Sequence, residues 1–154
     1  MGNNDKPFFE GTEPQAVAVR VYQLFDTGDV GGLDEIVAPD MVDHNPVPGA
    51  GSGIDGLRLL VAAVRDGFTG TRHEVIQQGE TGDGWVVCHW RMTAVHTGDW
   101  FGTPATGRRV SFTGTDLMRV ADGKIVELSS RRGAAPAPSP ADERRPGAGQ
   151  SMTT

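Results

Sequence analysis

Hydrophobic and polar residues alternate through much of the second half of the chain, and this period of two predicts β-strands. Short turns at Gly82-Asp83-Gly84 and Ala121-Asp122-Gly123 are typical of hairpins that join neighbouring strands. The predicted strands cover about residues 71–78, 85–96, 108–120 and 124–129. Together they are expected to form an antiparallel meander.

The first half of the chain instead repeats its hydrophobic residues every three or four positions, which predicts helices. One helix begins at Glu13-Pro14, has an apolar stripe that ends at Phe25 and is closed by the turn Thr27-Gly28-Asp29. A short second helix covers about residues 33–37, and a third covers about 54–66. A short extended segment over 41–46 leads into a loop rich in Gly and Pro, over 46–53, which is expected to be mobile and to serve as a pocket rim or lid. Helices followed by a meander predict an α+β fold, with a curved, mostly antiparallel sheet wrapped around three N-terminal helices and enclosing a pocket.

The chain of 154 residues suits a single domain. We predict that this domain covers 13–130, after a flexible lead-in at 1–12. The segment 131–154 is rich in Ala, Pro and Ser and then polar, and is predicted to be a disordered tail.

The predicted strand 108–120 carries a carboxylate on its hydrophobic face. The residues in phase with Asp116 are Val110, Phe112, Gly114, Met118 and Val120. A charge in such a place costs several kcal/mol unless it is paired or hydrogen-bonded. Proton-transfer chemistry is one explanation, and a buried structural hydrogen bond is the other. Burial would raise the pKa of Asp116 toward the range that suits a general acid or base.

Histidines supply the next candidates. His96 is in phase with the more apolar face of its predicted strand and lies at the end of that strand. His44 precedes Asn45 at the start of the pocket rim, where it either takes part in chemistry or caps a turn. His73 is expected to be solvated.

Composition narrows the classes of partner and cofactor. The net charge is −6 and no basic run interleaves with aromatic residues, so nucleic acid is not expected as a partner. Cys88 is the single cysteine, so an internal disulfide is excluded and a cytoplasmic location is favoured. Its side chain is expected to be buried. No stretch is apolar and long enough for a bilayer, so no membrane association is expected. The histidine spacing predicts no metal, and no phosphate-binding or serine-hydrolase motif is present in the sequence.

Several short motifs resemble the SnoaL-like polyketide cyclases, a family with the nuclear-transport-factor-type cone fold. The resemblance runs from about residue 13 to 127, and its second half is the more specific part. The motifs are Gly28-Asp29, Ala38-Pro39-Asp40, Val42-Asp43-His44, His96-Thr97-Gly98, Thr106-Gly107-Arg108-Arg109-Val110, Gly114-Thr115-Asp116 and Asp122-Gly123-Lys124-Ile125-Val126-Glu127.

The resemblance implies a homodimer with a deep apolar pocket and no metal or organic cofactor. It also implies intramolecular aldol closure of a polyketide ester, in which Asp116 removes a proton from carbon and returns one to the developing alkoxide. His96 or His44 would hold the enolate by hydrogen bonding. The residues expected to contact an apolar, aromatic substrate are Trp90, Phe112, Met118, Asn45, Trp100 and Phe25. Trp90 and Trp100 have core packing as their alternative role.

The chain departs from the family pattern after Glu127, where Leu128-Ser129-Ser130 replaces an ending that usually contains His-Trp. Other proteins on this fold hydroxylate polyketides without a cofactor, hydrolyse epoxides or have no known activity. A related cofactor-free enzyme and a binding protein without catalysis therefore stay as alternatives to the cyclase. An Asp116 paired with backbone donors and closed off from any pocket would favour the binding protein.

Overall fold

A computed structural model of the protein describes residues 13–51 and 53–133, together with the backbone of 137 and 138. The predicted lead-in at 1–12 and most of the predicted tail lie outside these residues.

Three helices occur close to their predicted positions. Helix α1 covers Pro14–Thr27, α2 covers Leu33–Ile36 after one 3-10 turn, and α3 covers Gly53–Gly67. Helix α1 ends where Gly28 takes a left-handed φ of 74°, and the Gly28 N–H donates to the Leu24 carbonyl at 2.8 Å. The apolar stripes of α1 and α3 are buried, as the period of three to four predicted.

Six strands form one sheet in the order β1-β5-β4-β3-β2, and β6 adds to β4. Their bounds are Val37–Asp43 for β1, Phe68–Gly82 for β2, Trp85–His96 for β3, Arg109–Ala121 for β4, Lys124–Arg132 for β5 and Ala137–Pro138 for β6. Strand β1 is parallel to β5 and all other pairs are antiparallel. The sheet curves around the helices, so the α+β prediction is confirmed.

Strands β2 and β5 are longer than predicted. The third helix was predicted to end at about residue 66 and the next strand to begin at about 71, but β2 already begins at Phe68, which pairs with His96. The register shifts between Thr69 and Arg72, and this irregularity accommodates the left-handed Gly70. Strand β5 continues past its predicted end at Ser129 as far as Arg132, because its last residues still pair with β4.

The core lies between the concave face of the sheet and helices α1 and α3. It contains the inward-facing residues of β3 and β4, whose burial alternates along both strands. Among the described residues, no helix is long and apolar enough to cross a membrane.

Candidate active site

A cavity of about 620 Å³ opens between the helices and the concave face of the sheet. Most of its walls are hydrophobic, and residues from both the 45–48 loop and the 100–103 loop lie at its edge. All six residues that were predicted to contact substrate line it, namely Trp90, Phe112, Met118, Asn45, Trp100 and Phe25.

Asp116 lines the same cavity and is only 8% exposed. The Tyr22 hydroxyl donates to its Oδ2 at 2.5 Å, and the Trp90 indole Nε1–H donates to the same oxygen at 2.9 Å. Arg119, three residues further along β4, donates through Nε to Glu127 at 2.8 Å and not to Asp116. The carboxylate is therefore held by side-chain donors while it still faces open space.

The pairing of β3, β4 and β5 positions this carboxylate. Cys88 and Ser130 are its cross-strand neighbours on either side, and all three face inward. Trp90 pairs with Gly114, and a Cβ at Gly114 would lie 2.4 Å from Cζ2 of the indole. Only glycine leaves room there for the indole that donates to Asp116.

Burial is the main cause that raises the pKa of Asp116. Hydrogen bonding from Tyr22 and Ser130, the charge of Arg132 and the indole N–H of Trp90 oppose that shift. Burial also raises the pKa of Tyr22, to which the neighbouring Asp116 charge adds. The pKa of Cys88 is raised to about 11, again mainly by burial. Tyr22 and Cys88 thus stay protonated near neutral pH, which leaves Asp116 as the group of the three that can accept a proton.

The two histidines predicted to assist Asp116 do not line this cavity. His96 is buried with its Nδ1 3.2 Å from Thr106 Oγ1, and its backbone pairs with Arg108 and Gly107. His44 lies at the surface, where its Nε2 is 3.0 Å from a carboxylate oxygen of Glu127. The structure therefore brings neither histidine together with Asp116.

His73 is a residue that the sequence interpretation missed. The prediction that it is solvated is wrong, because its side chain is 5% exposed and lines the cavity. Its Nδ1 lies 2.7 Å from Oδ1 of Asp26, which comes from the last turn of α1. The packing of α1 on β2 brings these two residues together. Their spacing in the sequence therefore gives no sign of the contact.

Asn45 connects the cavity rim to the sheet. Its side-chain oxygen accepts from the Ser130 N–H at 2.9 Å and from the Ser129 hydroxyl at 3.1 Å. These serines belong to the segment that departs from the family pattern, and Leu128 and Ser130 both line the cavity. The departure therefore supplies part of the cavity wall.

Within residues 13–51 and 53–133, no group of three or more His, Cys, Asp or Glu side chains is arranged to hold a metal ion. The cavity can instead bind an apolar molecule, and its polar groups can move a proton or donate hydrogen bonds.

Comparison with known proteins identifies the class. The profile of the SnoaL-like polyketide cyclases matches residues 16–130, so the chain belongs to this family and is an enzyme of the polyketide cyclase kind. Aklanonic acid methyl ester cyclase DnrD of Streptomyces peucetius is 30% identical over 112 residues, which cover 69% of this chain and 74% of DnrD. Nogalonic acid methyl ester cyclase of Streptomyces nogalater is 35% identical over 103 residues, which cover 66% of this chain and 76% of the relative.

Solved structures share the fold. TsrD from Streptomyces laurentii aligns with a TM-score of 0.70 and 21% identity, over 80% of this chain and 90% of TsrD. AclR from Streptomyces galilaeus, described provisionally as a hydroxylase, aligns with a TM-score of 0.68 and 26% identity, over 80% of this chain and 77% of AclR. The resemblance noted in the sequence is thereby confirmed at the level of family and fold.

Proposed function

We propose that this enzyme closes a ring in a polyketide ester by an intramolecular aldol reaction, with Asp116 as the general base and then the general acid. The observation that carries the proposal is a buried carboxylate facing a largely hydrophobic cavity of about 620 Å³. A cavity of this size is typical of small-molecule sites, which range over about 300–1,000 Å³.

The reaction needs one proton to move twice. The Asp116 carboxylate removes a proton from the carbon next to a carbonyl. The C–H electron pair forms the carbon–carbon double bond of the enolate, and the carbonyl π electrons move to its oxygen. The enolate carbon then bonds to the carbon of a ketone in the same molecule, and the ketone π electrons move to its oxygen. Asp116 returns the proton to that alkoxide, so the product is an isomer of the substrate and the enzyme is restored.

The surroundings of Asp116 suit both steps. Burial raises the pKa of the carboxyl group, which makes the carboxylate a stronger base than an exposed one. Tyr22 and Trp90 hold Oδ2 in one place, so the position of the base is fixed before the substrate enters. The hydrophobic walls also limit the water that could protonate the enolate before the ring closes.

The relatives and the cavity wall support one class of substrate. Two relatives are named as methyl ester cyclases of aklanonic acid and nogalonic acid, which supports a polyketide methyl ester here. The rings of Trp90 and Phe112 offer flat apolar contacts to such a substrate.

Product mass tests the reaction class. The dialysed enzyme is incubated without oxygen with aklanonic acid methyl ester and, separately, with nogalonic acid methyl ester. We expect at least one ester to give a cyclised product of unchanged mass, at a rate above that of the ester alone. Failure to convert either ester, or a product of altered mass, would contradict the proposal.

A hydroxylase is the second candidate, because AclR is 26% identical and is described provisionally as one. Hydroxylation adds an oxygen atom and needs an oxidant, so the two reactions differ in product mass and in their response to air. Conversion only in air, with a gain of one oxygen, would favour the hydroxylase.

A further inference from the structure

We propose that His73 is a second catalytic residue, whose Nε2–H donates a hydrogen bond to the enolate oxygen, and that Asp26 is the positioning residue that orients it. This inference rests on the proposed aldol reaction and names the group that stabilises its intermediate.

Asp26 holds His73 at two points. Its Oδ1 lies 2.7 Å from the ring Nδ1, and its Oδ2 accepts from the His73 backbone N–H at 3.0 Å. A carboxylate that engages both the backbone and the ring of one residue fixes the ring orientation and assigns a proton to Nδ1. The proposed donor is the doubly protonated ring, in which one N–H points to Asp26 and the second proton is on Nε2.

The ring is enclosed by aromatic neighbours. The centroid of the His73 ring lies 5.4 Å from that of Tyr22, 5.6 Å from Phe25 and 5.3 Å from Trp90. Because Asp26 occupies Nδ1, the nitrogen left for a molecule in the cavity is Nε2. The orientation of His73 is therefore set before a substrate binds.

Among the three rings of Tyr22, Trp90 and His73, which pack against one another, the donor inventory favours His73. Tyr22 has one hydroxyl proton and Trp90 has one indole proton, and both are directed at Oδ2 of Asp116. Neither is left to stabilise the oxygen that becomes negative when Asp116 removes the carbon proton. His73 contacts both of these rings and lines the same cavity, so its Nε2–H is the donor that remains among the three.

The spacing also fits the chemistry. In an enolate the oxygen is one carbon away from the atom that loses the proton, so the base and the oxygen donor must face the same small volume. Asp116 and His73 line the same cavity, and the two side chains that donate to Asp116, Tyr22 and Trp90, also pack against the His73 ring.

Two substitutions test the roles of the two His73 ring nitrogens separately. In His73→Asn the side-chain amide takes the place of Nδ1 and keeps the contact with Asp26, but nothing replaces Nε2. In His73→Gln the amide reaches the place of Nε2. With whichever of the two methyl esters the wild type converts, we expect kcat to fall about 100-fold in His73→Asn and about tenfold in His73→Gln, with KM nearly unchanged.

The control is His89→Asn, since His89 contacts Gly114 and Thr115 and does not line the cavity. It should leave kcat unchanged. A kcat within threefold of wild type in His73→Asn, or an equal loss in the His89 control, would overturn the assignment.

Asp26 is tested by non-additivity. Asp26→Asn alone should lower kcat with little change in KM, because His73 then loses its fixed orientation and its counter-charge. The double variant Asp26→Asn with His73→Asn should be no slower than His73→Asn alone, since Asp26 acts through His73. Losses that multiply would show that Asp26 acts independently and would overturn its positioning role.

The failure of this inference can be told apart from that of the proposed function. If Asp116→Asn keeps full turnover, the aldol mechanism fails whatever His73 does. If Asp116→Asn is inactive while His73→Asn is normal, only the His73 assignment fails. Nitrogen-15 NMR of the wild-type His73 ring adds a test without turnover: we expect protons on both ring nitrogens, and an unprotonated Nδ1 or Nε2 would overturn the inference.

Discussion

Two opposing influences set the pKa of Asp116. Burial raises the pKa by disfavouring the charged form, and the hydrogen bond from Tyr22 is the largest influence in the other direction. The balance leaves a carboxyl group that can be ionised to act as a base and protonated to act as an acid.

Removing the Tyr22 hydroxyl should shift this balance. In Tyr22→Phe the ring still packs against His73 and Trp90, but the carboxylate loses a donor at 2.5 Å. The pKa of Asp116 should rise further, because the lost hydrogen bond favoured the charged form. Since the base must be ionised, we expect the acid limb of the kcat/KM profile to move to higher pH. An acid limb at the wild-type position, in a variant with unchanged thermal unfolding, would contradict this account.

The raised pKa also has a cost in stability. Below the unfolded pKa of Asp, about 3.9, the carboxyl is protonated in both states and burial is not penalised. Above it the unfolded state ionises first, so the folded state loses stability as the pH rises through the folded pKa. Asp116→Asn should therefore raise Tm at pH 7 by on the order of 3 °C, since about 1 kcal/mol shifts Tm by roughly 2–4 °C at this size.

The check on that prediction is a series of thermal unfolding curves between pH 4 and pH 8. The gain in Tm of Asp116→Asn over wild type should shrink toward pH 4. A gain that is independent of pH, or a loss at pH 7, would argue against a buried, destabilising carboxylate.

Single residues differ in how far the sequence reveals them. Asp116 could be predicted, because the alternation of one strand is enough to show that its side chain faces inward. His73 could not, because β2 changes register twice around it and its partner Asp26 comes from a helix 47 positions earlier. His96 was correctly expected to face inward, but the sequence could not show that the cavity stops short of it.

At the scale of elements, the register between β3 and β4 controls the site. It sets Cys88 opposite Asp116 and Trp90 opposite Gly114. This register follows from strands whose inward faces are apolar, because a slip of one residue would turn Asp116 outward.

Gly114→Ala tests the register and its fit. The new methyl group would lie 2.4 Å from the Trp90 ring and 2.9 Å from the Arg131 carbonyl oxygen, so the indole must move away from Asp116. We expect a loss of about 1–3 kcal/mol in the free energy of unfolding, measured by urea denaturation, together with altered tryptophan fluorescence.

Gly79→Ala is the matched control, because nothing lies within 4 Å of a Cβ at Gly79 and this residue is also in a strand. It should be close to neutral. Equal effects of the two substitutions would mean that close packing at Trp90 is not what requires glycine at position 114.

The bounds of the elements were predicted well where a turn motif and the hydrophobic alternation mark the same positions. Strand β3 has the predicted bounds because Gly82-Asp83-Gly84 marks its start and the alternation persists to His96. The bounds of β2 and β5 were less accurate. The strand predicted from about residue 71 begins before the left-handed Gly70, and the last residues of β5 are set by pairing with β4.

At the scale of the whole molecule, the convex face of the sheet is the surface opposite the cavity. Leu117 on this face is 40% exposed and pairs with Val87 of β3. We propose that two copies of the chain associate through this face, in line with the homodimer that the family resemblance implies.

Leu117→Arg should convert that dimer to a monomer, because a charge on each copy would have to be desolvated at the interface. Light scattering after size-exclusion chromatography measures the mass. Leu59→Arg is the control, since Leu59 is 44% exposed on α3 rather than on the sheet. A monomeric wild type, or a Leu117→Arg variant that stays dimeric, would contradict the proposed interface.

The general architecture could be predicted because the helical and strand periods occupy separate halves of the chain. The fold class predicted a pocket but not its volume, which depends on how far the curved sheet stands from α1 and α3.

The most direct test of the central claim is turnover of the methyl esters by Asp116→Asn, with Asp83→Asn as a control in an exposed hairpin turn that tolerates asparagine. We predict that Asp116→Asn folds, still binds the ester, and loses at least about 100-fold in kcat, because proton transfer by a positioned group contributes about 10²–10⁴-fold. Asp83→Asn should match wild type. An Asp116→Asn enzyme that cyclises the ester at the wild-type rate would show that the buried carboxylate does not carry the proton.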